Sequence, residues 1–141
     1  MIEPDSSSSP ESIVAMAKSI ILEHEMLDAT EASSKCDPFD HTHRALQAKV
    51  ASSQLIQLTH AGKFIYPAFQ FLLSGEGAAV LGKVNVALDA KGDPWAVASW
   101  WYSPSRWLED LEKPYKMVSD PARLHEVIAL AAGEVEDDSR P

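Results

Sequence analysis

A thiol and two imidazoles lie close together in Cys36, His41 and His43, residue types that bind zinc. A structural zinc site takes four ligands, and the spacing C-x4-H-x-H leaves the fourth unsupplied nearby. These residues are therefore expected to hold no metal, with the two histidines exposed at a helix start. Nucleophilic catalysis needs a nucleophile, a base and an orienting group brought together. Cys36 stands in a stretch of linker character, and no G-x-S-x-G elbow occurs. Gly75-x-Gly77 lacks the further glycines and the lysine of a phosphate loop. Binding, without catalysis and without a cofactor, is the expectation.

The tryptophans say more about what is bound. Trp95, Trp100, Trp101 and Trp107 fall within 13 residues. Neighbours such as Trp100 and Trp101 point in different directions on any helix. At least one of the pair is expected away from the main core or against another subunit, which makes Trp100 and Trp101 a candidate dimer surface. Aromatic side chains are enriched at binding hot spots because they bury much area for little entropy. Trp95 is expected in the core.

The elements that position these groups can be placed from pattern. Residues 1–10, with Ser6 to Ser9 between Pro4 and Pro10, have the composition of a disordered lead. The apolar stripe Ile13, Ala17, Ile20, Ile21, Met26 and Leu27 predicts a helix over 11–28. Residues 29–40 have a linker's composition, and a second helix capped by Asp40 is expected over 41–53. Leu55, Ile56 and Leu58 predict one strand, and Phe64, Ile65 and Tyr66 another. His60-Ala61-Gly62-Lys63 turns between them, and Pro67 ends the second strand.

Gly75 and Gly77 mark a loop before a helix over 78–90, whose apolar spacing is Val80, Leu81, Val84, Leu88. Short helices follow. One starts at Asp93-Pro94, one is capped by Ser103 or Ser105, one opens at Lys113-Pro114, and one runs from Asp120-Pro121 to about Ala132. The fold class expected is mainly α, a small helical domain with one β-hairpin. Its divisions are an N-terminal helical region over 11–54, a helical domain with the hairpin over 55–132, and an acidic tail over 133–141.

Hydrophobic residues make up 45% and charged residues 23% of the 141, the balance of an ordinary globular protein. A single cysteine excludes an internal disulfide, and no apolar run approaches the roughly 20 residues of a membrane helix. The acidic start MIEPDSSSSPES lacks the basic front of a secretory signal, so a cytoplasmic location is expected.

The net charge of −9 is uneven. Residues 1–40 hold nine acids against two bases, 41–91 two against five, and 92–141 ten against five. An acidic chain repels phosphate backbones, which argues against nucleic acid as the partner of the whole molecule. The basic middle keeps one alternative open, a DNA-binding regulator using residues 41–66, with His41, His43, Arg44, Lys49 and Lys63 as its positive face.

Five segments occur in a characteristic order: YPAFQF (Tyr66 to Phe71), a Val- and Leu-spaced helix, DPWAVASWW (Asp93 to Trp101), SPSRWL (Ser103 to Leu108) and KPYKMV (Lys113 to Val118). This set, spanning about residues 55–132, resembles the toxin-binding domain shared by antitoxins of the MbcA, ParS and Xre type. The resemblance implies an antitoxin that docks on a RES-type toxin, an enzyme that destroys NAD or ADP-ribosylates a target, and covers its NAD site. It also implies a homodimer. Two departures stand out. Residues 1–54 match no helix-turn-helix, and Glu109-Asp110-Leu111-Glu112 replaces the usual glycine-containing turn.

The expected partner surface is Trp100, Trp101, Pro104, Arg106, Trp107, Leu108, Lys113 and Met117, with Pro104 and Pro114 setting the starts of its helices. An acidic, aromatic surface of this kind suits a basic partner cleft, and the acidic tail suits a phosphate-binding pocket. A mobile-element protein that keeps the domain for another host factor is the remaining alternative.

Overall fold

The computed structural model describes residues 10–104 and 112–139. It is mainly α with a small antiparallel sheet, as the patterning predicts. In chain order the elements are α1 (Pro10–Leu22), β1 (Met26–Asp28), α2 (Ala29–Cys36), α3 (Arg44–Ala51), β2 (Leu58–His60) and β3 (Lys63–Pro67). A 3₁₀ turn (Ala68–Phe71) leads to α4 (Gly75–Leu88), α5 (Pro94–Tyr102) and α6 (Pro114–Met117). A second 3₁₀ turn (Pro121–Arg123) leads into α7 (Leu124–Ser139).

The helix expected over 11–28 ends at Leu22, and the linker expected over 29–40 contains α2. Asp28 explains both corrections. Its carboxylate accepts the backbone N–H of Glu31 at 2.8 Å, while the Glu31 carboxylate accepts the N–H of Asp28 at 3.0 Å. This reciprocal cap holds Asp28 extended, at φ −84° and ψ 178°, so no helix can pass through it. The extended stretch becomes β1.

The hairpin forms with its first strand shifted from 55–58 to 58–60. Ala61 and Gly62 both have positive φ, 53° and 78°, as a two-residue turn matched to strand twist requires. Pro67 is the last residue of β3. The sheet order is β1-β3-β2, with Leu27 opposite Tyr66 and Leu58 opposite Ile65. β1 was not expected. It draws the N-terminal region into the sheet of the domain expected over 55–132, and Ile21, Leu27, Ala32 and Leu46 share one core with that domain's apolar residues.

Gly75 and Gly77 open α4 instead of preceding it. A Cβ on Gly77 would lie 3.2 Å from the carbonyl oxygen of Val118, so glycine permits the start of α4 to approach the end of α6. α5 and α6 each begin with the expected proline at the first turn. Asp120 accepts the N–H of Ala122 and caps the turn that leads into α7. Gly133, expected to start the tail, lies within α7. α4 packs along α7, and α1 packs on α5. Among the described residues no helix is long and apolar enough to cross a membrane.

Candidate partner-binding surface

The helix α5 carries two of the tryptophans that attract a functional reading, and the fold treats them differently. Trp101 is completely buried, and its indole N–H donates to Asn85 Oδ1 of α4 at 2.8 Å. Trp100 is half-buried and meets the Trp101 ring edge-on at 4.9 Å between centroids. The expectation that Trp101 faces a partner or a second copy is therefore corrected, because it has no surface to offer. Met117 of α6 is corrected on the same ground, at 1% exposure. Trp95 is half-buried against the core, with Lys18 Nζ of α1 5.0 Å from its ring centre. Pro104 is exposed and Lys113 half-buried. Arg106, Trp107 and Leu108 lie outside the described residues.

Around Trp101 the fold gathers rings from four segments. Phe69 comes from the 3₁₀ turn after β3, with centroids 5.4 Å from Trp101, 5.5 Å from Tyr102 and 5.7 Å from Tyr115. Tyr102 closes α5 and meets Tyr115 of α6 at 4.9 Å. His24, just after α1, stacks on Tyr102 at 3.9 Å with planes 9° apart and meets Tyr115 edge-on at 5.3 Å. Offset and edge-to-face rings at these separations add to what burial alone contributes. Tyr102 is buried, whereas His24, Phe69 and Tyr115 are half-buried and form the outer face of the cluster.

Burial pushes the His24 imidazole below its ordinary value, and Lys113 and then Lys116 push the same way against an opposing effect of Glu23. The ring is therefore neutral at pH 7. Burial also raises the Tyr102 phenol far above its usual range, helped by Tyr115. Lys116 Nζ lies 6.0 Å from the Tyr115 ring. The surface thus offers uncharged rings bordered by Lys113 and Lys116. Locally this corrects the acidic character expected of it. Glu112 is tied to Arg123, which also pairs with Glu126 at 3.0 Å.

His24, Phe69, Tyr102 and Tyr115 were not singled out from sequence. YPAFQF and KPYKMV contain two of the four, Phe69 and Tyr115, and Tyr102 directly follows DPWAVASWW, but nothing in these motifs says that the rings meet.

Elsewhere the groups that first suggest chemistry have structural employment. Asp40 Oδ1 accepts from the backbone N–H and hydroxyl of Thr42, and Oδ2 accepts from the N–H of Ala45. These bonds, chiefly that from Ala45, hold its carboxyl at about 2 and fix the entry to α3. Burial raises the Cys36 thiol despite Lys49. A thiol raised in this way is a weak nucleophile at neutral pH. Among the described residues no three His, Cys, Asp or Glu side chains are grouped to hold a metal ion. A groove of about 470 Å³ runs between α3 and the β2–β3 hairpin, floored by Leu46, Val50 and Tyr66. No family model, curated protein or solved structure matches this chain.

Proposed function

We propose that this chain is an antitoxin-like binding protein that neutralises a RES-type toxin, NAD-consuming or ADP-ribosylating, by protein–protein contact and without catalysis of its own. One observation carries the reading. Phe69 from YPAFQF, Trp101 from DPWAVASWW and Tyr115 from KPYKMV, three segments of the resemblance, belong to a single ring cluster. That cluster keeps His24, Phe69 and Tyr115 half-exposed beside two lysines. Partly exposed aromatic rings bordered by charge are the ordinary make-up of an interface core and its rim.

The experiment is co-expression with RES-type toxins, reading growth rescue and co-purification. Trp100→Ala is expected to weaken capture about thirtyfold, the equivalent of about 2 kcal/mol. Lys116→Glu, at an exposed site, is expected to weaken capture while leaving the melting temperature unchanged. A chain that rescues no toxin-expressing cells, or whose variants stay folded and capture the toxin at full affinity, overturns the proposal.

A further inference from the structure

A second hollow opens where the ends of α2 and α3 meet the first half of α4. It holds about 160 Å³, close to the roughly 150 Å³ in which a protein interior takes up benzene. Leu55, Leu81 and Gln70, all buried, form its floor. Lys35, Lys49 and Gln54 are exposed and form its rim. The chain has 21 acids against 12 lysines and arginines, yet no carboxylate is among the residues that line this hollow. The charges on it are two ammonium groups from two separate helices.

Each lysine stands in the last turn of its helix, where the helix dipole favours a cation. That explains each one singly, but not why both edge one hollow with no anion between them. Among the described residues neither ammonium has an ion-pair partner. The charge of Lys49 is felt inside the hollow, at the Cys36 thiol, where it opposes the effect of burial. The rim is also held in place. The N–H groups of Gln54 and Leu55 both donate to the carbonyl of Lys49, at 2.8 and 3.4 Å, and fold this loop onto the end of α3.

Gly82 points the same way by a different route. Glycine in the middle of a helix is less favourable than alanine. A Cβ at this position would meet nothing outside its own helix nearer than Gln54, at 3.9 Å, an ordinary contact. Packing therefore does not require glycine here. What the missing side chain leaves is an open wall of the hollow, beside Ala78 one turn earlier in α4.

We propose that this hollow binds a small organic dianion, with its carbon body on Leu55 and Leu81 and its charges between Lys35 and Lys49. Two negative charges match the two ammonium groups, and a short carbon body matches the volume and the apolar part of the floor. Short dicarboxylates and small phosphomonoesters share this chemistry. The inference is independent of the toxin reading.

An NMR titration of the isotope-labelled full chain with succinate, and separately with glycerol phosphate, tests it and separates the two sources. At least one is expected to saturate the amide shifts around Lys35, Lys49 and Gly82, with a dissociation constant on the order of 10⁻⁴ M, within reach of a ligand of about ten heavy atoms. Butyrate has the carbon chain of succinate and one charge fewer, and is expected to bind about tenfold more weakly or worse. Lys49→Gln is expected to cost about the same factor. Gly82→Leu fills the hollow without changing any charge and is expected to abolish binding; Ala78→Leu replaces it if circular dichroism shows α4 disturbed. Saturation with the dianion that binds is also expected to slow alkylation of Cys36, the one cysteine of the chain, by iodoacetamide. The absence of saturable binding by either dianion overturns the proposal, as does butyrate binding as tightly as succinate or an unchanged rate of Cys36 alkylation. So does a folded Lys49→Gln or Gly82→Leu variant that binds like wild type, the behaviour of ions gathered loosely by surface lysines.

Discussion

Asn85, wholly buried in α4, has every one of its side-chain bonds placed. Its Oδ1 accepts from Trp101, and its Nδ2 donates to the carbonyl of Gln54 at 2.9 Å and to Gln70 Oε1 at 3.3 Å. Gln70 in turn clasps Ile56, accepting its N–H at 2.8 Å and donating to its carbonyl at 3.2 Å. Among the described residues no buried side-chain nitrogen or oxygen is left without a partner. Buried polar groups in this state are expensive to disturb, because removing one partner strands the other. Trp101→Phe keeps a ring in place but strands Asn85 Oδ1. It is expected to cost about 1–3 kcal/mol, measured by chemical denaturation. A variant as stable as wild type would show that Asn85 finds another donor. The Trp100–Trp101 pair shows what sequence reveals at this scale. Different directions follow from helix geometry alone, but that Trp101 is the buried one goes with its bond to Asn85. A single asparagine between valines carries no sequence signal of burial.

The two-residue turn of the hairpin shows how element chemistry can be improved on. Ala61 occupies a left-handed position that its Cβ disfavours, whereas asparagine tolerates it. Ala61→Asn, which creates the Asn-Gly turn, is expected to stabilise the protein by about 0.5–1 kcal/mol in a denaturant titration. A neutral or negative effect would mean that the tip of the hairpin is held by contacts other than its turn. The hairpin, α5 and α6 are legible in sequence because Gly62, Pro94 and Pro114 punctuate them through fixed backbone preferences. α2 and β1 are not. α2 buries only Ala32 and Ser33 and so shows no apolar stripe, and three residues of β1 are too few to alternate. Their one available sign was Asp28 with Glu31 three residues on, the spacing of a capping box.

At the scale of the whole molecule, stability should follow two separate acid titrations. His24 has a native value below its ordinary 6.5, chiefly through burial, with Lys113 and Lys116 adding to the effect. The unfolded chain therefore takes up this proton first. The contribution of neutral His24 is complete above about pH 6.5 and declines as the pH falls through that value. Asp40 is held at about 2 against an ordinary 3.8, so its contribution is present above 3.8 and declines below it. Melting temperatures are expected to drop first below about pH 6.5. His24→Phe, which preserves stacking on Tyr102, is expected to flatten that first step and leave the lower one. A first step that persists in the variant would assign it to another group. Of the candidate partner surface, the sequence pointed to Trp100 and Lys113, both half-buried beside the ring cluster. It did not reveal that His24 arrives from the far end of α1 to stack on Tyr102. That meeting depends on the packing of α1 on α5, for which no local pattern exists.

Pairing Met26 with Pro67 fixes the order of events at synthesis. As the chain leaves the ribosome, β1 emerges well before β3, the strand it pairs with, and waits as an unpaired apolar segment. The reverse holds when the N-terminus is lost. A protease that trims past Asp28 bares the free side of β3, the strand Lys63–Pro67 with its Phe64, Ile65 and Tyr66. An exposed edge of that composition invites pairing with other chains. Clipping at the front of the molecule is therefore expected to end in aggregation rather than in a shorter working protein.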